Sequence, residues 1–185
     1  MQNKQHYYRV TEILKRYGDY ADIPEFILNN AADRGDRVHA YCEKYVRGHD
    51  LTDINPDCYA YVKAFCDWYD EVVEEVLFCE RRLYSKISNF SGKVDLVVKL
   101  HGDECYSIVD LKTTVDTHRT WHLQTAAYRL LCQENHFEVD RRLILQLKKT
   151  GCHSVIEYKQ HIRDTELFLN ALSLHNFFSS SNIIY

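Results

Sequence analysis

The hydrophobic residues of this chain change their spacing at Val76, from a helical period to an alternating one. Apolar side chains before Val76 recur every three or four residues, whereas those after it alternate with polar side chains, as in strands that bury one face. The resulting order of helices, three strands, a helix, two strands and a helix predicts an α/β fold. The predicted elements are helices over about 11–18, 24–47 and from Pro56 onward, strands near 76–84, 92–100 and 104–112, a helix over about 119–134, strands near 141–149 and 153–159, and a helix over about 163–178.

The chain has 185 residues, of which 45% are hydrophobic, enough for one hydrophobic core but not for two. We therefore expect a single domain over 1–185, in which a helical region (1–75) precedes the sheet with its helix (76–160) and a C-terminal helix (161–185). Six Gly and two Pro residues make a linker-rich or disordered chain a poor fit. The net charge of −4 by itself argues weakly against a nucleic-acid-binding protein.

Seven cysteines are spread along the chain without a CxxC pair, and their odd number excludes complete disulfide pairing. A secreted disulfide scaffold and a zinc ribbon are therefore poor fits. The polar N-terminus predicts neither a signal peptide nor a transit peptide, and no apolar run reaches the roughly 20 residues of a membrane-spanning helix. We expect a protein of the cytoplasm or of another reducing intracellular compartment, without a membrane partner.

Two aspartates are expected to face each other across a β-hairpin. If residues 102–103 form its two-residue turn, pairing that is symmetrical about the turn places Asp95 opposite Asp110. Like charges at directly opposed positions are destabilising unless something neutralises them. The same register places Lys93 and Lys112 on the face of the aspartates. The other face is expected to form one apolar surface of Val94, Leu96, Val98, Val109 and Leu111.

The residues alone leave two interpretations of this charged face open. In the first, Lys93 and Lys112 balance the two aspartates in an exposed ladder that binds nothing. In the second, Asp95 and Asp110 bind a divalent cation that also contacts phosphate oxygens. Hard oxygen ligands favour Mg²⁺ or Mn²⁺ over zinc at such a site.

Four short motifs follow one another along the chain: ADRGDRVH at 32–39, FSGKVDLV at 90–97, SIVDLKTT at 107–114 and QTAAY at 124–128. In this order and on these elements they resemble the PD-(D/E)xK phosphodiesterase superfamily. Within it they resemble the RecB-like exonuclease branch, which includes CRISPR-associated and mitochondrial single-strand exonucleases. The resemblance implies a restriction-endonuclease-like core with a central mixed β-sheet flanked by helices and an N-terminal helical region.

The resemblance also implies a metal site and a catalytic lysine. Lys112 would orient the attacking water or stabilise charge that develops on the phosphate. Without its motif, a lone histidine beside an apolar helix stripe would be interpreted as structural. The ligands of one or two Mg²⁺ or Mn²⁺ ions would be the carboxylates of Asp95 and Asp110, the backbone carbonyl of Leu111 and the ring of His39.

Further site residues follow from the resemblance or from position. Glu80, on the strand before the hairpin, resembles an additional acidic catalytic residue of this branch, with a surface glutamate at a strand edge as the alternative. Gln124 and Tyr128 share a helix face and would position the lysine or contact the substrate backbone. Their alternative role is buried hydrogen bonding to the sheet. Arg34 and Arg119 are assigned to substrate contact from their positions.

The function implied by the resemblance is metal-dependent hydrolysis of DNA phosphodiester bonds, with the protein acting as an exonuclease. The alternatives are a DNA-binding or adaptor module of the same fold with a degraded site, and a metal-independent structural protein. Some relatives hold an iron–sulfur cluster with three cysteines after the QxxxY helix, but only Cys132 and Cys152 follow that motif here, so no cluster is expected. The sequence leaves open whether a helicase or a recombination protein supplies the DNA.

Overall fold

The computed structural model describes residues 6–18 and 24–179, and within them the helices and strands follow the predicted order. The sequence does not predict β1, because two residues are too few to show an alternating pattern. The part of the expected C-terminal region beyond residue 179 lies outside the described residues. The elements are β1 (Tyr8–Arg9), α1 (Val10–Leu14), a 3₁₀ helix (Lys15–Tyr17), α2 (Glu25–Val46), α3 (Pro56–Val72), β2 (Val73–Ser85), β3 (Phe90–Leu100), β4 (Tyr106–Lys112), α4 (Thr120–Glu134), β5 (Val139–Leu147), β6 (His153–Glu157) and α5 (His161–Ser179).

The helices α2 and α3 begin where the sequence places a proline. Pro56 occupies the first turn of α3, where a missing backbone N–H leaves no hydrogen bond unmade. The Asn55 side chain caps this helix by accepting a hydrogen bond of 2.9 Å from the Asp57 N–H. α2 likewise begins directly after Pro24. No helix in the described part of the chain is long and apolar enough to cross a membrane.

The strands of the described residues form one mixed sheet in the order β1–β3–β4–β5–β6, with β2 paired to β3. The β2–β3, β3–β4 and β5–β6 pairs are antiparallel, whereas the β1–β3 and β4–β5 pairs are parallel. The parallel β4–β5 pair requires a crossover connection, which α4 provides. The structure therefore confirms the expected mixed sheet flanked by helices.

The strand β3 has two edges, and three strands share them. β2 pairs along the length of β3 on one edge, so β1 and β4 both lie along the other. β1 pairs there with Phe90 and Ser91, and β4 pairs with residues 96–99. Residues 92–95 of β3 therefore face a gap between β1 and β4.

The predicted register of the β3–β4 hairpin is confirmed where the two strands pair, from the pair 96/109 to the pair 99/106. The predicted two-residue turn is wrong, since the connection spans residues 101–105. Its first part is a turn closed by a 3.0 Å hydrogen bond from the Asp103 N–H to the carbonyl of Leu100. The longer loop nevertheless leaves the predicted residue pairs of the two strands unchanged.

Of the three hydrophobic clusters in the described residues, the two larger ones lie on opposite faces of the sheet: a first core packs against α4 and α5, and a second core packs against α2 and α3. The prediction that Val94 shares a face with Leu96 is wrong, because Val94 packs in the first core and Leu96 in the second. The alternation of β3 therefore slips by one residue between them. β2 slips at the same level, since Phe78 and Leu83 both pack in the first core although they are five positions apart and regular alternation would place them on opposite faces. Glu80 lies between those two and has a left-handed backbone, with a φ of 51°.

Candidate active site

A cleft of about 570 Å³ opens at the gap between β1 and β4. Its floor is the unpaired stretch of β3, and its walls are α2, α4, the N-terminal β1–α1 segment and the neighbouring strand β2. His39, Asp95, Asp110 and Lys112 all line this cleft. Gln124 and Tyr128 line it as well, so the gap in the sheet brings together residues of all four sequence motifs.

The carboxylates of this cleft are buried. Asp95 is 6% exposed and Asp110 is 1% exposed, so the interpretation of the hairpin as an exposed charge ladder is wrong. The side chain of Glu80 is 5% exposed, so its interpretation as a surface glutamate is also wrong. Buried carboxylates require partners, since an unpaired charge in the interior costs several kcal/mol.

His39 is the centre of the first group of partners. Its Nδ1 lies 3.3 Å from Glu80 Oε1 and 3.5 Å from Asp95 Oδ1, and its Nε2 lies 3.2 Å from the carbonyl oxygen of Leu111. Asp95 is further held by a 2.9 Å hydrogen bond from the Leu111 N–H to Oδ2. The nitrogen and oxygen atoms that His39, Glu80 and Asp95 offer all lie within 4.8 Å of one another.

The charge of this group is balanced by a proton on His39. Burial would lower the pKa of His39, but the carboxylates of Asp95 and Glu80 outweigh burial and raise the pKa from 6.5 to about 10. The Glu80 carboxylate also contacts the ammonium group of Lys93. A cation at this place would substitute for the proton, because imidazole binds metals only in its neutral form.

Gln124 is the centre of the second group of partners. Its amide Nε2 donates hydrogen bonds of 3.0 Å to Asp110 Oδ1 and of 3.0 Å to the Tyr128 hydroxyl. Its Oε1 accepts a 3.1 Å hydrogen bond from Lys112 Nζ. Lys112 Nζ also lies 2.6 Å from Asp110 Oδ2. The network thus joins two side chains one turn apart on α4 to two side chains two residues apart on β4, above the cleft floor.

The two aspartates differ in their affinity for protons. Burial raises the pKa of Asp110 to about 6, an effect that Lys112 opposes and that the negative charge of Asp95 increases. Burial also opposes ionisation of Asp95, but His39 and Lys112 together lower its pKa below 3.8. Asp95 therefore stays ionised to lower pH than Asp110, whose carboxyl group loses its proton as the pH rises through about 6.

A family model described as the PD-(D/E)XK nuclease superfamily matches residues 60–174. The chain belongs to this superfamily. The matched segment includes every residue of the network around Gln124. It also includes Glu80 and Asp95 of the group around His39. His39 lies outside the match, on α2. The resemblance inferred from the four motifs is thereby confirmed.

Two solved structures superpose on this chain over most of its length. An exonuclease candidate from Eubacterium rectale superposes with a TM-score of 0.57 at 12% sequence identity, over 92% of this chain and 78% of that one. An alkaline exonuclease from Laribacter hongkongensis superposes with a TM-score of 0.42 at 11% identity, over 94% of this chain and 91% of that one. The first of these likenesses supports the restriction-endonuclease-like fold. A search of curated proteins by sequence finds no match.

Of the two glycines in the sequence motifs, only Gly92 is required for the close approach of two elements. A Cβ atom on Gly92 would lie 2.7 Å from Tyr128 Cε1, so only glycine lets α4 pack this closely on β3. A Cβ atom on Gly35 would lie 3.6 Å from Thr113 Oγ1, an ordinary contact. Gly35 lies inside α2, which excludes a helix boundary at that position. The glycine that close packing requires is thus Gly92 in the second motif, and the sequence alone does not show this contact.

Two of the expected substrate-contact residues lie away from the nuclease cleft. Arg34 lies on the other side of α2 from the cleft lining, with its guanidinium 5.3 Å from the centre of the Tyr61 ring. Arg119 immediately precedes α4 and is exposed, and it does not line the cleft either. Their assignment to substrate contact stays a prediction.

The structure adds cleft residues that the sequence motifs do not include. These are Arg9 of β1 and Arg82 of β2, which line the cleft beside Lys93 of the second motif. Arg82 and Lys93 lie directly opposite each other. That pairing depends on the β2–β3 register, and the loop between these strands left the register undetermined at the level of sequence.

Proposed function

We propose that this protein is a divalent-metal-dependent deoxyribonuclease that hydrolyses phosphodiester bonds as an exonuclease. One observation carries the proposal. A cluster of one imidazole and two carboxylates, from His39, Glu80 and Asp95, lies in the same cleft as the buried Asp110–Lys112 pair. Carboxylates and a positioned lysine that line one cleft are the groups that metal-assisted phosphodiester hydrolysis uses.

The donor set fits Mg²⁺ or Mn²⁺. Carboxylate and carbonyl oxygens suit hard divalent cations such as Mg²⁺ and Mn²⁺. We assign His39, Asp95, Asp110 and the Leu111 carbonyl as ligands, with Glu80 as an additional acidic residue. A bound ion would polarise the scissile phosphate and lower the pKa of a bound water.

Lys112 is the residue that we assign to the reacting phosphate. Its ammonium group is held between Asp110 and Gln124 and is only 17% exposed, so it points into the cleft in one fixed position. A fixed cation near developing negative charge stabilises a transition state without reorganisation. Gln124 and Tyr128 act through this lysine as positioning residues.

The test measures cleavage of single- and double-stranded DNA labelled at the 5′ or the 3′ end, with Mg²⁺, with Mn²⁺ or with EDTA. We expect cleavage only with a divalent ion, and a ladder of products that shortens from one end. Lys112→Ala and Asp110→Ala should each abolish it. Lys159→Ala is the matched control, since this exposed lysine lies on the connection after β6.

Cleavage that persists in EDTA, or in both active-site variants, would contradict the proposed mechanism. Internal cuts without end-directed shortening would contradict exonuclease action and leave the nuclease assignment intact. Retained DNA binding without cleavage under every condition would instead support the degraded binding module.

A further inference from the structure

We propose that the sheet face formed by β1, β3 and β2 beside the cleft binds an unpaired nucleic-acid strand that leads into the active site. This basic face consists of Arg9, Lys93, Arg82 and Tyr84. The inference rests on the proposed nuclease function and names the part of the substrate that the catalytic residues do not contact. Nothing in the family match covers β1, which lies before residue 60.

The strand register places three cations on one face. Arg82 of β2 lies directly opposite Lys93 of β3. Arg9 of β1 lies opposite Ser91, two residues before Lys93 on the same strand. Residues directly opposite each other, and residues two apart along a strand, project to the same side of a sheet. Three neighbouring strands therefore each contribute one positive charge to a single surface.

Two of these three cations, Arg9 and Arg82, lack a close anionic partner among the described residues. Like charges in directly opposed cross-strand positions destabilise a sheet. Glu80 neutralises Lys93, but among the residues that the structure describes no acidic side chain lies within 4 Å of the Arg82 guanidinium. Arg9 has one distant partner, Glu12 at 3.8 Å, and remains 65% exposed. The basic face is thus suited to bind phosphate groups.

The opposite wall of the cleft has the opposite charge. Asp36 and Glu43 of α2 line the cleft on either side of His39. Glu43 is paired with Arg47, at 2.6 Å. An acidic wall repels phosphates, so a bound strand would run along β1, β3 and β2 rather than along α2.

Tyr84 extends this surface beyond the cleft. It lies two residues after Arg82 on β2, opposite Ser91, and is 44% exposed. The edge contact with Tyr7, at 5.1 Å between ring centres, holds its ring in place. An exposed tyrosine beside arginines provides a stacking platform for a base, and only an unpaired base can use it.

The experiment measures binding of a fluorescein-labelled 15-nucleotide oligodeoxythymidine by anisotropy over a range of KCl concentrations, in EDTA so that no cleavage occurs. Arg82→Gln should weaken binding and reduce the salt dependence of log K by about 0.7, the value for one phosphate contact on a single strand. Tyr84→Ala should weaken binding roughly 5- to 100-fold, whereas Tyr84→Phe should retain it.

Matched controls lie elsewhere on the surface. Arg163→Gln removes an exposed arginine from α5, and Tyr59→Ala removes a tyrosine of α3 that is 58% exposed. Neither should change affinity by more than about twofold. Asp36→Asn should strengthen binding, because it removes a negative charge from the opposite wall. Circular dichroism of each variant checks that the fold is retained, and Arg82→Gln carries the test if Tyr84→Ala does not fold.

Each outcome decides the proposal. Affinities of Arg82→Gln and Tyr84→Ala equal to wild type, equal affinity for a duplex of the same length, or no measurable binding by wild type would each overturn it. Cleavage of DNA by wild type with unchanged binding in these variants would refute the basic face and leave the nuclease function standing. Salt-dependent binding through Arg82 without cleavage in any metal would refute the nuclease function alone.

Discussion

At the scale of single residues, Gln124 determines where the lysine of the active site lies. Its amide offers two N–H donors and one carbonyl acceptor, and all of these are directed at Asp110, Tyr128 and Lys112. The amide orientation is fixed by this environment, because only the oxygen can face the ammonium group. Without Gln124, the lysine would keep its ion pair with Asp110 and a cation–π contact of 5.9 Å with the Trp121 ring.

We predict that Gln124→Leu lowers kcat of DNA cleavage by about 10²-fold, since a misplaced catalytic group of this kind costs that order of rate. KM should change little, because the side chain contacts Lys112 and not the outer part of the cleft. Steady-state kinetics with labelled DNA measure both. Gln133→Leu on the same helix is the control, as this side chain is exposed. A rise in KM with kcat unchanged would contradict the positioning role.

The two glycines of the motifs should respond to alanine in opposite directions. Gly92→Ala should destabilise the protein by about 1–3 kcal/mol, because the new methyl group overlaps the Tyr128 ring. Gly35→Ala should be neutral or stabilising by up to about 1 kcal/mol, because alanine favours a helix interior and meets only an ordinary contact. Urea denaturation measures both free energies of unfolding. Equal effects of the two substitutions would show that close packing at Gly92 is not required.

The sequence predicted which site residues lie near one another, but it did not predict which of them form hydrogen bonds. Hairpin symmetry brought Asp95 near Asp110, and helical spacing put Gln124 and Tyr128 on one face. The hydrogen bonds from Gln124 to β4 could not be predicted, because they depend on how deeply α4 packs against the sheet. That depth is set by Gly92, whose effect is visible only when both elements are in place.

At the scale of elements, the periodicity of hydrophobic residues was enough to locate every helix and strand of five or more residues in the described part of the chain. The slip of β2 and β3 was not predictable, because the left-handed backbone of Glu80 interrupts an alternation that the sequence continues. A glutamate rarely adopts this conformation. The slip lets Glu80 and Asp95 both approach His39.

The attachment of α5 to the sheet rests on a buried arginine of β5. Arg142 is fully buried and donates hydrogen bonds to Asp164 Oδ2 at 2.7 Å, to the carbonyl of His122 at 3.0 Å and to His161 Nδ1 at 3.0 Å. His161 can accept this bond only when its Nδ1 is unprotonated. Burial and the nearby Arg142 charge lower the pKa of His161 below 6.5.

This contact predicts a loss of stability in acid. Because the folded protein binds the His161 proton less readily than the unfolded chain, the contribution of His161 is complete above about pH 6.5 and falls as the pH drops below it. His161→Gln keeps an acceptor without a titrating group, so the decrease should be smaller in that variant. Urea unfolding of both proteins at pH 7.5 and 5.5 gives the comparison. An identical decrease in the two proteins would refute the prediction.

At the scale of the whole molecule, the active site collects buried negative charge that a metal ion would relieve. The carboxylates of Glu80, Asp95 and Asp110 lie in one cleft, where His39 and two lysines balance them. Part of the net charge of −4 belongs to this site. The negative net charge is therefore no argument against nucleic-acid binding, because part of it belongs to the buried carboxylates of the cleft.

We predict that Mn²⁺ raises the melting temperature by about 5–10 °C at a concentration 100 times its dissociation constant. Binding to the folded state alone contributes about 2.7 kcal/mol under that condition, and a chain of this size shifts by about 2–4 °C per kcal/mol. Thermal unfolding with Mn²⁺ or EDTA measures the shift. Asp95→Asn should abolish it and Glu104→Gln, an exposed control, should retain it. An equal shift in both variants would place the ion elsewhere.

The gap along β3 has a consequence for when activity arises during folding. Its two sides are β1, near the start of the chain, and the end of β4, about a hundred residues later. The cleft is complete only when β1 has paired with β3, and contacts over so long a separation form late because loop closure delays them. Assembly of the cleft would therefore report on complete folding, and a partly folded intermediate would lack the assembled site.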